Sequence, residues 1–120
     1  KLVNSPKLNI DAIAQISRVK SLKSLDLGSC NLPYFPKSVL KISGLEELHL
    51  SINSIRIVPD SIAEMHQLKH LDLSHNEVER LPNSIYQLAE ISVLNLQNNP
   101  LGETAKYLLK RQAKYISVYY

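Results

Sequence analysis

Apolar residues in the middle of the chain follow a mixed spacing that neither a helix nor a long strand explains. In the segment 68–82, "LKHLDLSHNEVERLP", leucines occupy the first, fourth and sixth positions, and the polar Asn76 follows three residues later. A helix has apolar steps of three and four, and a half-buried strand has steps of two. The pattern therefore predicts a short strand, with Leu71 and Leu73 buried, that ends in a turn at Asn76.

This pattern occurs four times at a constant spacing of 23 residues. The copies are "LKSLDLGSCNL", "LEELHLSINSI", "LKHLDLSHNEV" and "ISVLNLQNNPL", which begin at residues 22, 45, 68 and 91. One copy cannot bury its own leucines, but copies stacked about 4.8 Å apart share a continuous core and a parallel sheet. The repeat therefore predicts an α/β solenoid with a concave sheet.

The segments that connect the copies align with one another as well. Each contains a proline that is followed, three and six residues later, by apolar side chains; these prolines are Pro36, Pro59 and Pro82. Proline is tolerated at the first position of a helix. The connecting segments are therefore predicted to form short helical or 3₁₀ turns on the convex side.

The two ends of the chain depart from the repeat. Residues 1–21 keep part of the pattern but place Asn4 and Asn9 in leucine columns, so we predict a degenerate N-terminal capping repeat before the four repeats of residues 22–101. In residues 102–120, "GETAKYLLKRQAK" has the pattern of an amphipathic helix and predicts a C-terminal cap. The final "YISVYY" is either a last strand over this cap or a frayed tail. At this length the whole chain, 1–120, is predicted to be a single domain.

Four copies of L-x-x-L-x-L-x-x-N/C-x-L in one register resemble the leucine-rich repeat family. The resemblance implies a fragment of a horseshoe with a short parallel concave sheet and an irregular convex side. The repeat length and the "LPxxIxxLxxL" half are similar to the intracellular Ras-binding group, which implies a signalling adaptor. They are also similar to leucine-rich repeat effectors that bacteria deliver into host cells, which implies a factor acting on host proteins.

One polar column lies inside the apolar frame and consists of Cys30, Asn53, Asn76 and Asn99. Each of these residues stands where the chain leaves a strand and its backbone N–H and C=O groups lose their sheet partners. A side-chain amide both donates and accepts hydrogen bonds, so it can satisfy such groups. We therefore interpret the column as a structural ladder, in which the thiol of Cys30 is a weaker substitute.

Side chains that alternate with the buried leucines are predicted to form the concave face and to bind a partner protein. The predicted partner-binding residues are Ser24, Asp26, Glu47, His49, Ile52, Lys69, His70, Asp72, His75, Val93, Asn95 and Gln97. Among them, Ile52 and Val93 are the predicted apolar anchors. Residues 45–101 contain eight acidic and three basic side chains, whereas residues 1–44 contain two acidic and seven basic ones. The acidic centre favours a partner with basic residues.

The row Asp26, His49, Asp72 is the strongest candidate for chemistry, because neighbouring strands bring imidazole and carboxylate side by side. Such a group is compatible with a metal site or a general base. No local metal-binding or catalytic motif accompanies it, and the three glycines are too far apart for a phosphate-binding loop. We therefore predict no enzyme activity, no metal and no cofactor, with a metal-binding or hydrolytic site at His49 and Asp72 as the remaining alternative.

Other partner classes have little support in the sequence. An acidic concave face, few aromatic residues before the tail and the lack of an RNA-binding signature argue against nucleic acid. No apolar run is long enough to span a membrane, and "KLVNSPKLNI" does not resemble a signal peptide. A single cysteine and the absence of Asn-x-Ser/Thr favour the cytoplasm, or the host cytoplasm for an effector.

The sequence thus predicts a non-catalytic protein–protein interaction module that binds on its concave face and regulates or inhibits its partner. We expect it to be a monomer when unbound. Two alternatives remain open at this point: a bacterial effector acting on an enzyme inside a host cell, and a fragment of a larger signalling scaffold.

Overall fold

The computed structural model describes residues 10–113 and 115–120. Asn4 and Asn9, on which the prediction of a degenerate N-terminal repeat depends, lie outside the described residues. The proposed boundaries at residues 21 and 102 remain predictions.

Five parallel strands form one sheet in the order in which they occur along the chain. The first four are related by 23 residues, as in the pairing of Ser24 with Glu47, and the last pair is related by 24, with Val93 opposite Ser117. The strands are β1 Ser24–Asp26, β2 Glu47–His49, β3 His70–Asp72, β4 Val93–Asn95 and β5 Ser117–Tyr119. The constant offset is what a solenoid requires, because each coil must place its strand beside the preceding one.

The core is a stack of equivalent aliphatic side chains, one set from each coil. Leu71, at the centre of β3, and Leu73, just after it, are both fully buried. Their counterparts in the other repeats are at most 3% exposed: Leu25, Leu27, Leu48, Leu50, Leu94 and Leu96. Burial of each such side chain contributes about 1.5–3 kcal/mol, so only several stacked coils offset the cost of ordering the chain. The predicted solenoid with a parallel concave sheet is confirmed.

Short 3₁₀ helices form the convex side of the repeats. They span Lys37–Lys41, Asp60–Glu64 and Asn83–Gln87, and each begins directly after one of the aligned prolines. The φ angles of these prolines, −77°, −71° and −69°, are those the proline ring imposes. Val39, Ile62 and Ile85 point from these turns into the core. Of the two predicted alternatives, the structure has 3₁₀ turns.

Both terminal regions contain an α-helix in place of the 3₁₀ turn. Helix α1 spans Ile10–Ile16 and buries Ile13, and helix α2 spans Glu103–Gln112 and buries Ala105 and Leu109. After α2 the chain forms β5 beside β4, so the "YISVYY" segment is a last strand rather than a frayed tail. Among the helices in the described segments, none has the length and apolar character needed to cross a membrane.

Candidate protein-binding surface

The strand register aligns the concave side chains in two rows that run across the sheet. The first row contains Ser24, Glu47, His70, Val93 and Ser117, and the second contains Asp26, His49, Asp72, Asn95 and Tyr119. Sequence reasoning missed Ser117 and Tyr119 because the last coil is one residue longer than the repeat. The alternation of Ile116 and Val118 with polar or aromatic neighbours was the available signal.

All twelve residues predicted for partner binding are at least partly exposed. Ser24, Glu47, Ile52, Lys69, His75 and Gln97 are exposed, and Asp26, His49, His70, Asp72, Val93 and Asn95 are half-buried. Val93 is therefore less available as an apolar anchor than Ile52, whose side chain is 56% exposed. Tyr119 is 51% exposed and extends the second row with an aromatic side chain.

His49 pairs with Glu47 rather than with Asp72. The Nε2 atom of His49 lies 3.3 Å from Oε1 of Glu47 in the same strand, and its ring centroid lies 4.9 Å from that of His70. The Glu47 side chain is 51% exposed, so this contact contributes little stability and leaves the carboxylate accessible to a partner. Within the described part of the chain, no three His, Cys, Asp or Glu side chains are arranged to hold a metal ion.

Three residues of the second row also support the turns that follow their strands. The Oδ1 atom of Asp26 accepts a hydrogen bond from the N–H of Gly28 at 2.9 Å, and Asp72 accepts one from Ser74 at the same distance. Asn95 accepts from the N–H two residues later at 3.1 Å. Aspartate and asparagine commonly stabilise turns in this way. Sequence reasoning assigned these side chains to partner binding alone and missed this structural role.

Each strand is followed by a residue in the left-handed backbone region. The φ angles are 55° at Ser29, 56° at Ile52 and His75, and 60° at Asn98. Asparagine tolerates this conformation, whereas a β-branched residue rarely adopts it. Ile52 is therefore strained, and its exposed side chain gains no burial within the described structure in return.

The asparagine column connects adjacent coils through their backbones. In Asn76, Nδ2 donates to the carbonyl oxygen of Leu50 at 2.9 Å and to that of Leu73 at 3.0 Å, so it bridges two coils. The same nitrogen donates to Ser74 at 3.2 Å, and Oδ1 accepts from the N–H of Ile55 at 3.0 Å. The side chain is buried and thus stabilises the scaffold of the concave face from inside.

The other members of the column make related contacts. Asn53 accepts from the N–H groups of Cys30 and Leu32, and Asn99 accepts from that of Val78. Cys30 is 1% exposed, and its Sγ donates to the carbonyl oxygen of Gly28 at 3.4 Å. The thiol thus contacts its own coil, as expected of a weaker substitute for an amide.

Comparison with known families identifies the repeat. The sequence profile of the leucine rich repeat matches residues 20–78 and 43–101. The chain belongs to the leucine-rich repeat family. This family's fold is a common module for protein–protein interaction, and its members are generally non-catalytic.

Solved leucine-rich repeat structures are similar over most of this chain. A leucine-rich repeat protein of Leptospira interrogans is 26% identical, with a TM-score of 0.82 over 89% of this chain and 27% of its own. The structure of a TLR13–ssRNA13 complex gives 27% identity and a TM-score of 0.70 over 80% of this chain and 14% of the other. An internalin, InlF of Listeria monocytogenes, shares the fold at 20% identity, with a TM-score of 0.74 over 92% of this chain and 31% of its own.

This chain thus spans less than a third of the length of each of these proteins. A comparison with curated proteins gives no significant match.

Proposed function

We propose that this leucine-rich repeat domain is a non-catalytic module that binds a partner protein carrying basic residues on its concave face. The observation that carries the proposal is Ile52, which is strained, 56% exposed and next to an acidic row. Backbone strain that buries nothing in the free protein is typical of functional sites. An exposed aliphatic side chain on a rigid sheet is suited to fill a pocket of a partner.

The charge of the concave face supports a basic partner. The predicted binding residues include three carboxylates, Asp26, Glu47 and Asp72, and one lysine, Lys69. The Nζ atom of Lys69 lies 3.2 Å from Oε1 of Glu46, so its charge is already balanced. Opposite charges on the partner would increase the rate and selectivity of association. A face of this charge repels phosphate, so we do not propose here the RNA binding seen in the TLR13 complex.

The area of the sheet limits how the partner can bind. Five strands about 4.8 Å apart, each with about six residues of strand and turn, give a projected face on the order of 400 Å². A standard interface uses about 800 Å² on each partner. The partner must therefore contact the turns beyond the sheet as well, where Ile52 and His75 project. This requirement supports an assignment of the turn residues to the interface.

The cellular setting follows as part of the proposal. As a small domain with a binding face, the protein would regulate or inhibit its partner in the cytoplasm, as a signalling adaptor or as part of a longer scaffold. The likeness to a bacterial leucine-rich repeat protein favours a second candidate, an effector that acts on another enzyme in the cytoplasm of a host cell.

The test is affinity capture from cell extract with the wild-type chain beside a His49→Ala/Asp72→Asn double variant. Asparagine keeps the Oδ1 acceptor for the N–H of Ser74, so the turn is retained while the charge is lost. We expect capture of the partner to fall at least about fivefold, which corresponds to about 1 kcal/mol. A Lys110→Glu/Arg111→Glu variant, altered on helix α2, is expected to capture the partner normally. Equal capture by the His49/Asp72 variant and the wild type would refute binding on the concave face.

A further inference from the structure

A second exposed surface lies outside the concave face. Residues 34–38, 56–61 and 79–82, from three successive coils, line an open groove of about 1430 Å³. These segments follow the asparagine column and lead into the 3₁₀ turns, so the groove occupies one flank of the solenoid. We refer to it as the flank groove. None of the residues predicted for partner binding lines it.

Two large apolar side chains are exposed next to each other in the flank groove. Ile57 is 76% exposed and Tyr34, at the equivalent position of the preceding coil, is 56% exposed. Phe35 and Val58, beside them, are buried and anchor this stretch of backbone to the core. Ile57 is the most exposed large aliphatic residue in the described part of the chain. A fixed backbone thus presents an apolar patch that the described residues do not cover.

The cations of the flank groove have no partners among the described residues. The exposed side chains of Lys37, Arg56 and Arg80 make no hydrogen bond or ion pair there, whereas Lys69 and Lys106 each pair with a glutamate. Two acids, Asp60 and Glu79, also line the groove. Asp60 stands in the first turn of its 3₁₀ helix, where the helix dipole favours negative charge. The groove therefore has an excess of positive charge beside its apolar patch.

We propose that the flank groove binds an acidic segment of a second protein partner, with apolar side chains placed against Ile57 and Tyr34. Charge complementarity selects this occupant, because the unpaired cations border the apolar patch and the concave face carries the opposite charge. The three coils span about 10 Å, which corresponds to about three residues of an extended chain in direct contact. The domain then joins two partners of opposite charge, a basic one on the concave face and an acidic one on the flank.

Two labelled peptides test this proposal by fluorescence anisotropy. One alternates glutamate with leucine over ten residues, and the other has lysine in place of each glutamate. We expect the acidic peptide to bind the wild-type chain, to bind Ile57→Asn at least about tenfold more weakly, and to be lost from Arg56→Glu/Arg80→Glu. Added salt is expected to weaken its binding, because the contacts between the charges are exposed.

Two control variants match these changes elsewhere on the molecule. Ile52→Asn alters an exposed isoleucine on the concave face, and Lys110→Glu/Arg111→Glu gives the same change in net charge on α2. Both are expected to bind the acidic peptide as the wild type does, and circular dichroism would verify the fold of every variant. The proposal is overturned if the wild type does not bind the acidic peptide, or if the lysine peptide binds the groove better. Self-association or binding of phosphatidylserine vesicles that Ile57→Asn abolishes would also overturn it, because the groove would then have another occupant.

Discussion

Replacing Asn76 by alanine is expected to lower the free energy of unfolding by about 3 kcal/mol. The side chain is 7% exposed, and it satisfies three carbonyl groups and one N–H group from two coils. Alanine leaves these groups without a partner in a space that water enters poorly. One unsatisfied buried group costs about 1–3 kcal/mol, and the loss of four contacts places the expected value at the upper end of this range.

Thermal unfolding followed by circular dichroism measures this effect, and the expected decrease in Tm is about 10 °C. Gln97→Ala, on the exposed surface of the next coil, is the matched control and is expected to change the stability by less than about 0.5 kcal/mol. Asn76→Asp separates the two halves of the amide, because aspartate keeps the acceptor for Ile55 and loses the three donated bonds. It is also expected to destabilise the fold. Wild-type stability of Asn76→Ala would show that the ladder does not support the coils.

The sequence predicts the core of this fold well because the repeat repeats its own constraints. Leu71 and Leu73 have equivalents 23 residues away in both directions, so one correct assignment of the buried face determines every other coil. The strand register needs no further information, since neighbouring coils can pair only at the repeat spacing. For the same reason the position of the 3₁₀ turns follows from the proline column.

Features that depend on local backbone geometry were not predictable from this pattern. The hydrogen bond from Ser74 to Asp72 requires the turn after β3, which the repeat consensus does not specify. The imidazole of His49 meets Glu47 of its own strand, because side-chain rotamers rather than strand spacing decide such contacts. The left-handed conformation at Ile52 was hidden because isoleucine is an unusual residue for it, although Asn98 at the equivalent position was a signal.

The two proposed surfaces differ in the features that gave them away. The concave face follows from strand alternation and is predictable from sequence. The flank groove depends on Arg56 and Ile57, two residues of an irregular segment whose side chains have no assigned direction until the coils are stacked. A repeat makes both surfaces rigid, since each is fixed to the same aliphatic core. A change in one surface is therefore expected to leave the geometry of the other intact.

Replacing Ile52 by asparagine is expected to make the protein more stable and its binding weaker. Asparagine adopts the left-handed conformation at little cost, so the free energy of unfolding should rise by about 1 kcal/mol and Tm by about 4 °C. The same change removes the proposed apolar anchor of the concave face. A central anchor contributes about 2 kcal/mol or more to binding, so affinity for the captured partner should fall about thirtyfold.

Thermal unfolding and titration calorimetry on the same samples measure both effects. Ile57→Asn is the matched control, because it places the same substitution on an exposed isoleucine that has no left-handed backbone. It is expected to change neither the stability by more than about 0.5 kcal/mol nor the affinity for the concave-face partner. Lower stability of Ile52→Asn would mean that the backbone at this turn is not strained. Undiminished affinity would mean that Ile52 keeps its strained conformation for a reason other than binding.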